Sequence, residues 1–222
     1  KREPGDGTAS KLLQQIAAEK AKLIKEKKIK KEKPLPEITE EEKPFDLPDG
    51  WEWCRLADVC NCINDVDHKM PQVVSKGYPY VSPRDFTVGD KINFAMAKQI
   101  SEEDFLKLSR KIKPEYGDII FPRYGTIGVV RMVDTNLDFI VSYSCATLKP
   151  NKNNMLSRYI YRCLQSGFVD AEIQKYINKT TQPNVGLQSI KQFLFPLPPL
   201  PEQQRIVVCV EELLSQVESL SK

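Results

Sequence analysis

Three polar turns in this sequence hold the side chains best suited to reading nucleobase edges. The first is Gly77-Tyr78-Pro79-Tyr80-Val81-Ser82-Pro83-Arg84-Asp85, which sets Tyr80, Ser82 and Arg84 beside a turn. The second, Pro114 to Gly128, runs from a turn through a strand into a tight Gly125-x-x-Gly128 turn; Arg123, Tyr124, Gly125 and Thr126 project from it, and Ile119, Phe121 and Ile127 anchor it. The third, Asn178 to Asn184, offers Lys179, Thr180, Thr181, Gln182 and Asn184. Arginine suits guanine in the major groove, Asn and Gln suit adenine, and Lys, Ser, Thr and backbone N–H suit phosphates. Each turn also has a plainer reading. Gly125 and Gly128 can serve a tight turn, and Gln182 or Asn184 can satisfy neighbouring backbone.

Catalytic chemistry finds little support. There is no phosphate-binding glycine loop and no dinucleotide or S-adenosylmethionine fingerprint. A metal-dependent nuclease of the Pro-Asp and Glu-x-Lys type needs Glu-x-Lys downstream of Pro48-Asp49. The two matches, at Glu26 and Glu41, lie upstream in charged segments. His68 is the only histidine and reads as a surface pair with the acids Asp65 and Asp67. The six cysteines include no C-x-x-C pair, so they are expected to be reduced thiols, with no metal and no cofactor. No apolar run approaches a membrane span, and a cytoplasmic location is expected. Net charge is only +3, but lysines between positions 20 and 33 form a basic block that precedes the acids Glu37, Glu40, Glu41 and Glu42.

The elements that must position the turns follow from periodicity. Prolines 196, 198, 199 and 201 mark an extended, stiff segment that starts a helix. In that helix Ile206, Val210, Leu213, Val217 and Leu220 recur at spacings of 4, 3, 4 and 3, the seam of a helix built to lie along another. Residues 9 to 32 lack Gly and Pro and predict a long helix with Leu12, Ile16 and Leu23 on its apolar stripe. Residues 1 to 8 predict a frayed lead-in, and 33 to 50, with four prolines, an extended linker.

Between 51 and 195 the pattern predicts one mixed α/β domain of many short strands. Strands are expected at 53 to 57, 78 to 81, 118 to 121, 127 to 133, 139 to 142 and 145 to 149, with helices near 101 to 108 and 155 to 176. The fold class is α+β, with two long antiparallel helices as a coiled-coil-like spacer. Trp53 reads as core.

The wording PLPPLPEQQRIV, the domain opening LPDGWEWCRL and the upstream AEKAKLIKEKKIKKEKPLPEITEEEKPF together resemble the specificity subunit of Type I restriction-modification enzymes, over nearly the whole chain. The resemblance implies the second half of such a subunit: a spacer helix (1–32), a linker (33–50), a target-recognition domain (51–195) and the start of a closing helix (196–222). It implies double-stranded DNA as ligand and methyltransferase subunits as partners, with motor-nuclease subunits joining the complex. It also implies no catalysis by this chain itself. Starting at Lys1 and carrying one recognition domain, the chain reads as a fragment, which could self-associate through Val210 and Leu213. A protein-interaction module on a helical stalk, or the targeting arm of a larger single-chain enzyme, are the alternatives.

Overall fold

Thr8 opens the first helix: in the computed structural model, which describes residues 3–87, 89–178 and 181–220, its hydroxyl accepts from the Lys11 amide at 3.3 Å. Helix α1 spans Ala9–Lys25 and buries Ala9, Leu12 and Ile16 against the domain. Burying a Leu or Ile contributes about 1.5–3 kcal/mol. The helix ends seven residues before the expected position 32, without a glycine. The Lys28 amide bonds the Leu23 carbonyl at 2.9 Å and the Lys27 amide the Ile24 carbonyl at 3.0 Å, while Lys27 takes φ +58°. This is a Schellman cap with lysine where glycine is usual. The lead-in is not frayed where described, because Arg205 clasps Asp6 with both guanidinium nitrogens, one at 3.1 Å.

The linker is extended, broken by a short turn at Glu40–Glu42 and another where the Trp51 amide bonds the Pro48 carbonyl at 3.0 Å, but it is not loose. Arg55, 3% exposed, holds it down. Its guanidinium donates to both Glu42 carboxylate oxygens, at 3.1 and 2.8 Å, to the Glu37 carbonyl at 3.2 Å and to the Gln192 carbonyl at 3.0 Å. The Arg55 hydrogen bond holds the Glu42 carboxyl down at about 2.

Ten strands and six α-helices occur among the described residues. A four-stranded antiparallel sheet has the order β2 (Cys60–Asn64), β9 (Cys145–Pro150), β6 (Ile119–Pro122), β7 (Arg131–Met132). Its register aligns Ile63, Leu148, Ile119 and Met132 in one row, and all four belong to the main core beneath the helices. The neighbouring row, Thr147, Ile120 and Arg131, faces the other way, and Ile120 joins a second, smaller core. The period of two is thus what divides the domain into layers. A second sheet has the order β3 (Val73–Val74), β5 (Lys98–Ile100), β4 (Tyr78–Val81), β8 (Ile140–Val141), with β4 and β8 parallel. Helix α2 (Glu102–Ser109) packs beneath it, and Phe105 stacks on Tyr78 with ring centroids 4.0 Å apart.

The incoming and outgoing chains pair with each other. Strand β1 (Glu52–Arg55) runs antiparallel to β10 (Leu194–Leu197), with Cys54 opposite Phe195 and Trp53 opposite Pro196. The first of the four prolines therefore does sit in a strand, which a two-stranded sheet tolerates because each strand keeps one free edge. Trp53 is half-buried rather than core; its ring meets Phe45 and Phe168 and its indole N–H reaches the Phe45 carbonyl at 3.3 Å.

The expected strand at 127 to 133 shrinks to β7, and β2, β3 and β5 were not foreseen. The expected helix at 155 to 176 is two, α3 (Ser157–Leu164) and α4 (Gly167–Tyr176), parted at Ser166, whose hydroxyl bonds the Cys163 carbonyl at 2.6 Å. After α5 (Leu187–Gln192) comes α6, Leu200–Leu220. Its first turn is anchored: Glu202 accepts from the Trp51 indole at 3.0 Å, and Gln203 accepts from the Leu156 amide at 3.1 Å. The expected seam is not closed within this chain. Helix α6 packs on α3, with Val207 buried; Ile206 and Val210 are half-buried, and Leu213, Val217 and Leu220 are exposed. On α1, Leu12 and Ile16 face the domain core and Leu23 is half-buried, so that stripe serves the domain.

All six cysteines are free; Cys209, on α6, is the exposed one. Burial pushes the Cys145 and Cys163 thiols up to about 12 and raises those of Cys54, Cys60 and Cys62.

Candidate nucleic-acid interface

The three polar turns, far apart in sequence, meet at one open cleft of about 320 Å³. Tyr80, Ser82 and Arg84 come from the first turn, Tyr124 and Gly125 from the second, and Gln182 from the third. Backbone bridges of Tyr124 with Asn184 and of Asn184 with Asn178 hold the second turn to the third, and the pairing of β4 with β8 brings the first turn beside the residues that follow β8.

Each wall is built locally. Ser82-Pro83-Arg84-Asp85 forms a single capped 3-10 turn in which buried Asp85 accepts from the Ser82 amide at 2.7 Å and from its hydroxyl at 3.0 Å. That turn fixes the Arg84 backbone and leaves its exposed guanidinium without an ion pair among the described residues. Tyr80 forms the floor at 4% exposure, and burial pushes its hydroxyl up to about 12, so it remains a neutral donor. Gly125 lies in the left-handed region, φ +71°, which lets the chain turn sharply at the cleft mouth.

Five residues that the sequence left unassigned line the same cleft: Met70, Lys98, Ser142, Tyr143 and Ser144. Lys98 lies on the unforeseen strand β5. The Ser-Tyr-Ser run sits where β8 hands over to β9, and polar residues wedged between two apolar strands were the signal for it. Tyr143 stacks on His68 at 5.0 Å and meets Tyr124 edge-on at 6.4 Å. Among the described residues, no carboxylate lines the cleft. Two cations, three tyrosines, three serines and an amide therefore line the cleft. Such a set can donate to and accept from base edges, stack on bases and attract phosphate.

Several expected readers do other work. Arg123 is only 5% exposed; it is ion-paired with buried Asp65 and donates to the Val185 carbonyl at 3.1 Å, so it joins the turn to the body beneath the cleft. Its apolar neighbours correctly anchor the turn, but the guanidinium goes inward with them because Asp65 waits there. His68 does pair with Asp65, at 3.3 Å. The Asn184 side chain bonds the Gln182 carbonyl at 3.1 Å, the local role that a turn asparagine often takes. Thr126 and Thr181 are exposed but do not line the cleft. Lys179 and Thr180 lie outside the described residues.

A family model described as the Type I restriction modification DNA specificity domain matches residues 48–222. The chain belongs to that family. Every cleft residue of this specificity domain, from Met70 to Gln182, lies inside the matched span. The specificity subunit of the Type I restriction enzyme EcoAI from Escherichia coli is 33% identical over 223 residues, covering 98% of this chain and 37% of the relative. That of EcoEI, also from Escherichia coli, is 30% identical over 231 residues, covering 98% and 38%. This specificity-domain chain therefore spans under two fifths of the length of these relatives. Among solved structures, the HsdS subunit from Thermoanaerobacter tengcongensis superposes with a TM-score of 0.60 at 25% identity, covering 80% of this chain and 45% of that one. A chain of a type I R-M system studied for its complex assembly shares the fold at a TM-score of 0.60 and 21% identity, covering 96% and 49%.

Proposed function

We propose that this chain is one DNA-reading unit of a Type I specificity subunit, and that its cleft reads one half of a two-part target. The observation that carries the reading is the convergence of three separate turns on a cleft whose cations, Arg84 and Lys98, face no lining carboxylate. Arg84 on its rigid turn is the main base reader, Tyr124 and Tyr143 supply stacking planes, and Ser82, Gln182 and Lys98 complete the set. The chain supplies address and no chemistry: methyltransferase subunits, and motor-nuclease subunits joining them, act where it is bound in the cytoplasm. The exposed apolar residues Leu213, Val217 and Leu220 suit a helix of such a partner or of a second recognition unit, which sets the spacing between half-targets.

The test is an adenine-methylation map of cells carrying the parent system, with residues 51–195 intact or exchanged for an unrelated recognition domain. The expected outcome is a change in one half of the methylated motif, with the other half and the modification itself retained. A motif that the exchange leaves unaltered would overturn the reading.

A further inference from the structure

A second concave surface lies where α1 ends, and its chemistry differs from that of the cleft. The groove, about 640 Å³, runs between the residues that follow α1 and the end of α2; seven lysine or arginine side chains line it against two carboxylates. Both carboxylates are already engaged: Glu32 with Lys191 at 2.6 Å and Glu115 with Lys149 at 2.9 Å. Lys28, Lys111 and Lys113 also have acidic partners, at 2.9, 3.0 and 2.9 Å. Lys27, Lys30 and Arg110 are exposed and form no ion pair among the described residues.

A run of lysines is usually no more than a solvated face. This one is held in place. The Schellman cap puts Lys27 in a left-handed conformation that is unfavourable for a lysine, and such a backbone persists only where its surroundings enforce it. Half-buried Ile29 anchors the stretch from inside the groove, and the Glu32–Lys191 pair fixes its far end. The groove is also joined to the cleft through one side chain. Asp65, which pairs with Arg123 beneath the cleft, lies 3.9 Å from Lys111 in the groove wall.

We propose that this groove is a second, sequence-blind DNA contact, gripping the sugar–phosphate backbone beside the half-target seated in the cleft. It rests on the cleft being the base-reading site. Duplex DNA carries one negative charge per about 1.7 Å of axis, so fixed unpaired cations are what such a contact requires, with no need for base-edge donors or acceptors.

The experiment compares the full specificity subunit in its complex with its Lys27→Gln/Lys30→Gln/Arg110→Gln variant. Binding is measured over a range of salt to the methylated-motif duplex and to a mixed-sequence duplex. Affinity for both duplexes should fall together, their ratio should hold, and the slope of log affinity against log salt should flatten by roughly 0.9 for each phosphate no longer neutralised. An unchanged slope, or a weakening confined to the motif duplex, overturns the proposal. An Arg84→Gln variant run in parallel separates the two readings: failure of the cleft reading appears as unaltered discrimination in that variant, failure of the groove proposal as an unaltered slope in the triple one.

Discussion

Arg84 and Arg123 sit in turns that each follow a short apolar strand, yet they occupy opposite electrostatic situations. Beneath the second turn, Asp65 is buried at 4% exposure and takes the Arg123 guanidinium inward. In the first, the carboxylate of the adjoining Asp85 is spent on the Ser82 amide and hydroxyl, and Arg84 is exposed with no ion pair among the described residues. What separates a reading arginine from a structural one is whether a buried carboxylate lies within reach.

That contrast can be broken most forcefully at Arg123. Arg123→Ala leaves buried Asp65 with only His68 and the more distant Lys111, at 3.3 and 3.9 Å, and should cost up to about 3–5 kcal/mol in chemical denaturation. A variant that folds with full stability but loses target discrimination would reverse the roles assigned to the two arginines. Arg55 belongs with Arg123, and its partner Glu42 tests the class: Glu42→Gln should cost about 1.5–3 kcal/mol. The pair also has a pH signature. Because the folded Glu42 pKa is depressed from 4.5 to about 2, its contribution is present in full above pH 4.5 and is lost as pH falls through about 2. Acid titration of stability should therefore be flatter over that window in Glu42→Gln than in the unaltered protein.

Arg84→Gln should show the opposite profile. Stability changes by no more than ~0.5 kcal/mol, as for other surface sites, and discrimination at one base pair of the half-target drops by about 1–3 kcal/mol. Competition binding against single-substitution duplexes measures it. The smallest effect sharpens the comparison from the side of backbone strain. Lys27 is an unpaired cation like Arg84 but pays for its left-handed φ, so Lys27→Gly should gain up to ~1 kcal/mol in thermal unfolding and weaken DNA binding slightly at low salt. Equal stability in the two proteins would mean that the capped turn is not strained.

The sequence carried the architecture where patterns are local. Val81, Ile119 to Phe121 and Cys145 to Leu148 announce themselves as buried strands, and the Pro-rich segment before α6 marks the return of the chain. It failed where tertiary partners decide. Nothing around Lys27 signals a helix end, since the cap is made by backbone atoms and a lysine takes the glycine position. Strands β3 and β5 are only two and three residues long, too short for alternation to be visible, and Lys98 was missed with them. The turns were recognisable as polar loops, and that Arg84 and Gln182 share a cleft follows from the pairing of β4 with β8 and the bridge of Tyr124 to Asn184, each between residues some sixty positions apart. Arg123 was misassigned because its destiny depends on Asp65, which no spacing links to it.

The free thiols give the molecule a built-in reporter. Five of the six cysteines are shielded, with burial raising their pKa values, so a thiol-directed reagent at neutral pH meets Cys209 first. A single fluorophore there stands among Ile206, Val210 and Leu213 on α6, far along the chain from the cleft, and needs no engineered substitution. Its emission would follow the arrival of any protein on that helix in real time, independently of whether DNA is present.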